Sequence, residues 1–372
     1  MEEGLREFGA SVDALMRGER IGRQRTRDMF REVLLNVQPE LQQGAFLAAI
    51  TSARPGPGEM AGAWEAIFEL DTVKARPEVD GHLVENCGTG MDRIKTFNVS
   101  TLASVVAAAA GVRMAKHGAR AITSKCGIVD IVETLGVDVE CDASVVRRSV
   151  EVCGIGLFNG MSPKVHPQAL YRILSQIRFG TILNVAGSLA NPASPEIGVR
   201  GVYSEDMVMP LAQTMQGIGY LRGMVAHGLD GSGERGMDEL STLGRSVIAE
   251  FHEDGEISRY EITPRSIGIP TGSERDVLSS LDREWEALRF IKVLLGEEKG
   301  SRRDMVALNA APILYLDGKA SSLSEGVARA MDIMESGKGF QKLREWVRAQ
   351  GSGDPRLKME RLDRLAASAC PV

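Results

Sequence analysis

The strongest constraint on the fold is a change of rhythm near residue 81. Upstream, apolar residues recur at helical spacing in "LREFGASVDALM", "TRDMFREVLLNV", "GAFLAAITSA" and "GEMAGAWEAIFEL". Breaks fall at Gly18, at Gln38-Pro39 and across 54–58. That spacing predicts about four helices over residues 1–75. Downstream, "HLVENCGTG" is a short apolar run ending in a glycine turn. A helix follows, with Ser100 as N-cap and Gly111 just past its end. "VRMAKHG" reads as a strand, "GIVDIVETLG" as a helix stopped at Gly136, "VDVE" as a short strand, and "DASVVRRSVEVCG" as a helix leading into the apolar "IGLFNG". Residues 166–185 read as helix and then turn, 187–198 as a proline-rich connection, 256–264 as a half-buried strand, and 351–356 as a hinge before a helical tail. Strands alternating with helices predict a parallel, doubly wound sheet. The expected fold class is α/β. A small helical domain spans 1–78, joined by a helical segment over 166–190. A larger α/β domain spans 79–165 and 191–372. In such sheets ligands bind beyond the carboxyl ends of the strands, where the turn at 87–100 and the loop after residue 118 would lie.

Composition narrows the function classes. The 372 residues carry a net charge of −6, which argues against non-specific nucleic-acid binding but leaves room for a local basic pocket. The five cysteines (Cys87, Cys126, Cys141, Cys153, Cys370) are odd in number and form no C-x-x-C pair, so neither a disulfide framework nor a zinc cluster is expected. The N-terminus has no apolar signal region, and no apolar run approaches the roughly 18 residues of a membrane span. A cytoplasmic protein without a membrane partner is the expectation.

The stretch 86–118 can cradle phosphate. Gly88 and Gly90 allow backbone N–H groups to converge, and the helix beginning at Ser100 turns its unpaired N–H groups and positive dipole end to the same loop. The hydroxyls of Ser100 and Thr101 can donate to phosphate or ligate a hard cation, and Lys116 can reach in as a point charge. Each element alone reads as an ordinary turn, capped helix or surface lysine. Their spacing together points to an anionic ligand. Gly231, Gly233 and Gly236 spell G-x-G-x-x-G, but no continuous apolar strand leads directly into them, so a dinucleotide site is not expected. Asp238-Glu239 suits magnesium, which takes one or two carboxylates plus phosphate oxygens; equally, it could be a pair of acids at a helix start. His117 could hydrogen-bond a substrate, and His166-Pro167 opens a helix.

Taken together these residues resemble the anthranilate phosphoribosyltransferase family over roughly residues 5–345. The family's GTGGD and TFN-x-ST appear as Gly88-Thr89-Gly90-Met91-Asp92 and Thr96-Phe97-Asn98-Val99-Ser100-Thr101. Its KHGNR-x-x-SS-KCG appears as Lys116-His117-Gly118-Ala119-Arg120 and Thr123-Ser124-Lys125-Cys126-Gly127. GPLTNP is matched by residues 187–192, and G-x-DE-x-S by Gly236 to Ser241. The resemblance implies the two-domain fold above, dimerising through the helices, with phosphoribosyl diphosphate (PRPP) as donor and Mg²⁺ as cofactor. It assigns PRPP to Gly88, Thr89, Gly90, Asp92, Asn98, Ser100, Thr101, Lys116, Thr123 and Ser124, and Mg²⁺ to Ser100, Asp238 and Glu239. No covalent nucleophile is implied; Lys116 would stabilise the departing diphosphate.

The departures fall on the acceptor side or the loop edge. Met91 replaces a glycine, and Ala119 replaces the asparagine that faces the acceptor. "LSQIRFGTILN" is shorter than the family run VR-x-ELG-x-RT-x-FN, leaving Arg172 and Arg178 as candidates to pair with an acceptor carboxylate. With His117, these residues make up the expected acceptor pocket. Three readings stay open: an anthranilate enzyme, a paralogue with another aromatic or heterocyclic acceptor, and a non-catalytic binding relative. The net charge and the Asp238-Glu239 pair weigh against the last.

Overall fold

The computed structural model describes residues 2–120, 128–280, 282–351 and 353–369. The chain opens with four helices, α1 (Glu2–Met16), α2 (Gly22–Leu34), α3 (Glu40–Ser52) and α4 (Pro57–Asp71). Pro57 starts α4 at the position where its missing N–H costs nothing, and the Glu59 carboxylate accepts from Gly56 N–H at 2.8 Å. Alternation follows: β1 (Leu83–Gly88), α5 (Val99–Ala109), β2 (Arg113–Gly118), α6 (Ile128–Thr134), α7 (Ala143–Cys153) and β3 (Ile155–Asn159). Two short helices, α8 (Leu170–Ile177) and α9 (Ile182–Leu189), return the chain toward α3 and α4. Then come β4 (Ile197–Gly201), α10 (Val208–Gly217), β5 (Arg222–Leu229), β6 (Gly236–Met237), β7 (Ser246–Phe251) and β8 (Ile257–Ile262). The rest is helical: α11 (Glu274–Val277), α12 (Arg283–Leu294), α13 (Ser301–Leu316), α14 (Leu323–Glu335), α15 (Lys338–Ala349) and α16 (Pro355–Ala369).

The strands form one sheet in the order β3-β2-β1-β4-β5-β7-β8, with β6 paired to β5. The five strands from β3 to β5 run parallel, and β6, β7 and β8 add an antiparallel edge. After β1 the chain winds outward through β2 and β3, then crosses back to place β4 on the other side of β1. The gap beyond the ends of β1 and β4 is therefore a topological switch point, where α/β sheets bind ligands. Gly88 and Gly201 sit opposite each other there.

Helices cover both faces. The α5, α12, α13, α14 and α15 side holds one core around Val105, Leu308, Ile313 and Trp346. On the other, α1–α4, α8, α9 and α10 share a core with Val225 of β5 and Val247 and Phe251 of β7. The doubly wound expectation holds, with the antiparallel edge as an addition. "VDVE" does not become a strand: Val137 and Val139 are buried, and Asp138 N–H donates to Gln350 O at 2.7 Å instead. The tail helix α16 packs against α12 and buries Leu362. Among the described residues no helix is long and apolar enough to cross a membrane.

Candidate active site

At the end of β1 the chain turns through Gly88, Thr89 and Gly90. Gly88 has no room for a side chain, since a Cβ there would lie 2.3 Å from Asp238 Oδ2. Gly90 takes a left-handed φ of 71° and its N–H donates to the same carboxylate at 2.6 Å. Thr89 N–H donates to Gly201 O at 3.2 Å, tying the loop to β4. A cavity of about 240 Å³ opens over this loop. Its walls include residues 87–90, Ser100, Asp238 and Glu239, together with His117, Ala119, Arg120, Asn184, Ser188 and the apolar side chains of Ile128, Leu170, Leu174 and Leu183. The Thr89 hydroxyl is buried at this wall, and neither it nor the buried Thr101 Oγ1 of α5 has a hydrogen-bond partner among the described residues. An unpaired buried hydroxyl costs about 1–3 kcal/mol, and a phosphate oxygen would remove that cost for Thr89.

The two adjacent acids disfavour their charged forms, with Lys95 as an opposing cation. Burial, then the nearby Asp92 carboxylate, pushes Asp238 up to about 7. Burial and the charges of Asp238 and Asp92 hold Glu239 well above the usual carboxylate range, although Thr96 Oγ1 donates to it at 2.6 Å. Among the described residues no three His, Cys, Asp or Glu side chains are grouped to hold a metal by themselves. Magnesium does not need such a cage. One or two carboxylates with phosphate oxygens and water suffice, so Asp238, Glu239 and the Ser100 hydroxyl fit a cation that arrives with its ligand.

Several expected ligands stand elsewhere. Lys116 is fully buried beneath the loop, and its Nζ donates to Asn86 O at 2.7 Å, Ser104 Oγ at 3.1 Å and Ser100 O at 3.4 Å. All three ammonium protons are used, so it braces loop and helix rather than reaching into the cavity. Burial brings it down to about 8. Asn98 faces a separate crevice beside Phe97, Glu286 and Arg302. Asp92 is buried and paired with Lys95 at 2.8 Å. Ser100 begins no helix: α5 starts at Val99, with Asn98 as N-cap. Thr123 and Ser124 lie outside the described residues. On the acceptor side, Arg172 turns away, donating to Gln43 Oε1 at 3.1 Å and Val33 O at 2.9 Å. Arg178 donates to Ser175 O of its own helix at 3.1 Å. Neither candidate for an acceptor carboxylate reaches the cavity. Met91 lies over Gly180 in the α8–α9 corner, where a Cβ would come within 2.6 Å of its methyl group.

The sequence reading named Arg172 in α8 but missed the residues of α8 and α9 that line the cavity. Leu170 and Leu174 are one helical turn apart, a spacing that could have marked them as one face. Ser188 is held from below by Arg200, whose Nη2 donates to its carbonyl at 2.9 Å and whose Nη1 donates to its hydroxyl at 3.2 Å. Arg200 in turn pairs with buried Glu85 of β1, which also accepts from Tyr220 and Asn191. His117 and His166 are both buried, their Nε2 atoms 3.0 Å apart, and burial pushes both below the usual imidazole range. The G-x-G-x-x-G turn does follow a strand, β5, contrary to expectation. It leads into the β6 hairpin and not a helix, so no helix terminus waits for a dinucleotide.

Comparison with known proteins settles the family. A profile described as "Glycosyl transferase family, a/b domain" matches residues 80–340. The anthranilate phosphoribosyltransferase of Methanococcoides burtonii is 36% identical over 317 residues, 84% of this chain and 86% of its own. That of Idiomarina loihiensis is 33% identical over 342 residues, 91% of this chain and 98% of its own. The chain belongs to the anthranilate phosphoribosyltransferase family. Its fold is also that of the family. The crystal structure of the Thermus thermophilus enzyme matches with a TM-score of 0.81 at 31% identity, covering 91% of this chain and 98% of that one. The Saccharomyces cerevisiae anthranilate phosphoribosyltransferase, solved in complex with PRPP and Mg, matches in fold with a TM-score of 0.78 at 21% identity, covering 92% and 97%.

Proposed function

We propose that this chain transfers phosphoribosyl from PRPP to the nitrogen of an aromatic amine or heterocycle and releases diphosphate. The observation that carries this reading is the pair of buried Asp238 and half-buried Glu239, crowded by Asp92, facing a glycine loop whose Thr89 hydroxyl has no partner among the described residues. Family membership supplies the donor: its named relatives are anthranilate phosphoribosyltransferases. Displacement at C1 passes through an oxocarbenium-like state while charge grows on the diphosphate. The chain orients donor and acceptor in line and meets that charge with Gly88–Gly90 backbone, the hydroxyls of Thr89 and Ser100 and the start of α5. Mg²⁺ bound at Asp238, Glu239 and Ser100 would neutralise the diphosphate oxygens. Lys116 acts from beneath, holding the carbonyls that shape the loop. We assign the helices of 1–78 with 166–190 to one lobe and the sheet with its remaining helices to the other, with α1 and α3 forming the face of a homodimer.

The test is diphosphate release from PRPP with Mg²⁺ and a panel of aromatic amines. Asp238→Asn combined with Glu239→Gln should lower turnover at least a hundredfold, in keeping with about 3 kcal/mol for one lost charge-stabilising contact. The circular dichroism spectrum should be unchanged. Turnover equal to wild type in a folded double variant would remove the metal assignment.

A further inference from the structure

The acceptor side of the cavity has its own chemistry. Leu170 and Leu174 come from α8, Leu183 from α9 and Ile128 from α6. A carboxylate pressed against such a wall gives up hydration that only a cation or several donors can replace. The described cations around it are engaged. Arg172 is anchored to α2 and α3, and Arg178 is exposed, gives its Nε to its own helix and is not part of the cavity wall. Arg120 lines the cavity but is shared among Asp130 at 3.3 Å, Glu133 at 2.8 Å and Glu140 at 3.0 Å. His117 and His166 are buried against each other, beside Arg200 on one side and Asp71 and Lys74 on the other, and burial favours their neutral forms.

Two positive features add to this. Met91 packs its thioether end over Gly180 beside the cavity, not in its wall, and so occupies the space into which a longer side chain at 180 would project. Asn184 lines the cavity with its amide held in place. Its Oδ1 accepts from Thr181 N–H at 3.0 Å as part of the α9 cap, while its Nδ2 has no partner among the described residues. One fixed amide donor on a leucine wall suits a flat, neutral ring.

We propose that the acceptor is an uncharged planar aromatic amine or nitrogen heterocycle, without a carboxylate, packed on Leu170, Leu174 and Leu183 and oriented by the Asn184 amide. This rests on the phosphoribosyl transfer proposed above. In the step itself the ring-borne nitrogen lone pair forms the C1–N bond as the C1–O bond to diphosphate breaks. The bonding pair leaves with diphosphate, and the nitrogen proton passes to solvent.

The experiment compares anthranilate with its neutral isostere 2-aminobenzamide, alongside aniline and benzimidazole, using wild-type protein, Mg²⁺ and PRPP. Diphosphate release is followed, and PRPP binding is measured separately by calorimetry. The expected result is a kcat/KM for 2-aminobenzamide at least tenfold above that for anthranilate. Asn184→Asp, which keeps the cap oxygen and removes the donor, should raise KM for 2-aminobenzamide with PRPP affinity unchanged. Met91→Gly combined with Gly180→Arg should shift preference toward anthranilate. Anthranilate used as well as or better than the amide overturns the inference and leaves phosphoribosyl transfer standing. PRPP binding with no acceptor consumed overturns the inference alone, and failure to bind PRPP overturns both.

Discussion

Lys116 shows how far a residue's neighbours redirect its chemistry. On the linear chain it is a lysine near a glycine loop, and a phosphate contact is the natural reading. In the fold it sits on a central strand with α5 packed over it, and its three protons hold Asn86 O, Ser100 O and Ser104 Oγ. Lys116→Met should therefore leave these acceptors unpaired and lower stability by about 1–3 kcal/mol, seen as a reduced midpoint in urea. PRPP affinity should fall with it, because the loop loses its brace. A variant that lost PRPP affinity while keeping the wild-type midpoint would restore the direct phosphate contact. The glycine loop and the acid pair, by contrast, were legible in the sequence. Glycine at 88 and 90 and adjacent carboxylates at 238 and 239 declare their chemistry through residue type. The directions of Arg172 and Met91 were not, since each depends on which element packs opposite.

At the scale of elements, the turn from Asp230 to Arg235 sets the aim of the acids. The Asp230 carboxylate accepts from the Ser232 hydroxyl at 2.7 Å and from the backbone N–H groups of Ser232, Glu234 and Arg235, and it pairs with Arg235 Nε at 3.1 Å. These contacts, the Ser232 hydrogen bond foremost, hold Asp230 down to about 2, below its ordinary range near 3.9. A depressed carboxylate stabilises the fold above its unfolded value and loses that contribution as pH falls through its folded value. The stability gap between wild type and Asp230→Asn should thus be full at pH 6 and narrow below about pH 4. Denaturant midpoints across that range measure it, and a gap independent of pH would refute the assignment. The same variant should bind Mg²⁺–PRPP more weakly, since β6 and Asp238 follow directly on this turn. Sequence rhythm located most elements, including the strand at 113–118 and the helix stop at Gly136. It misread 137–140 because two buried valines in alternation look like a strand whether or not a neighbour offers a ladder.

At the scale of the whole molecule, exposed large apolar side chains are scattered, and four of them fall on the first three helices and their connections. Met16 is 75% exposed, Leu35 53%, Val37 64% and Leu41 89%, and the assignment of this face to a homodimer predicts that they become covered. Light scattering should give a dimer, and Met16→Glu with Leu41→Glu should give a monomer that still binds PRPP. A monomeric wild type would withdraw this face as an interface. By itself the sequence determined the α/β class, the glycine loop and the paired acids, because periodicity and residue type act over a few neighbouring positions. Only the tertiary structure decided that Lys116 faces inward, that Arg172 and Arg178 turn from the cavity, and that leucines of α8 and α9 meet the glycine loop. Those outcomes depend on residues that lie far apart along the chain and become neighbours only when the helices return over the carboxyl edge of the sheet.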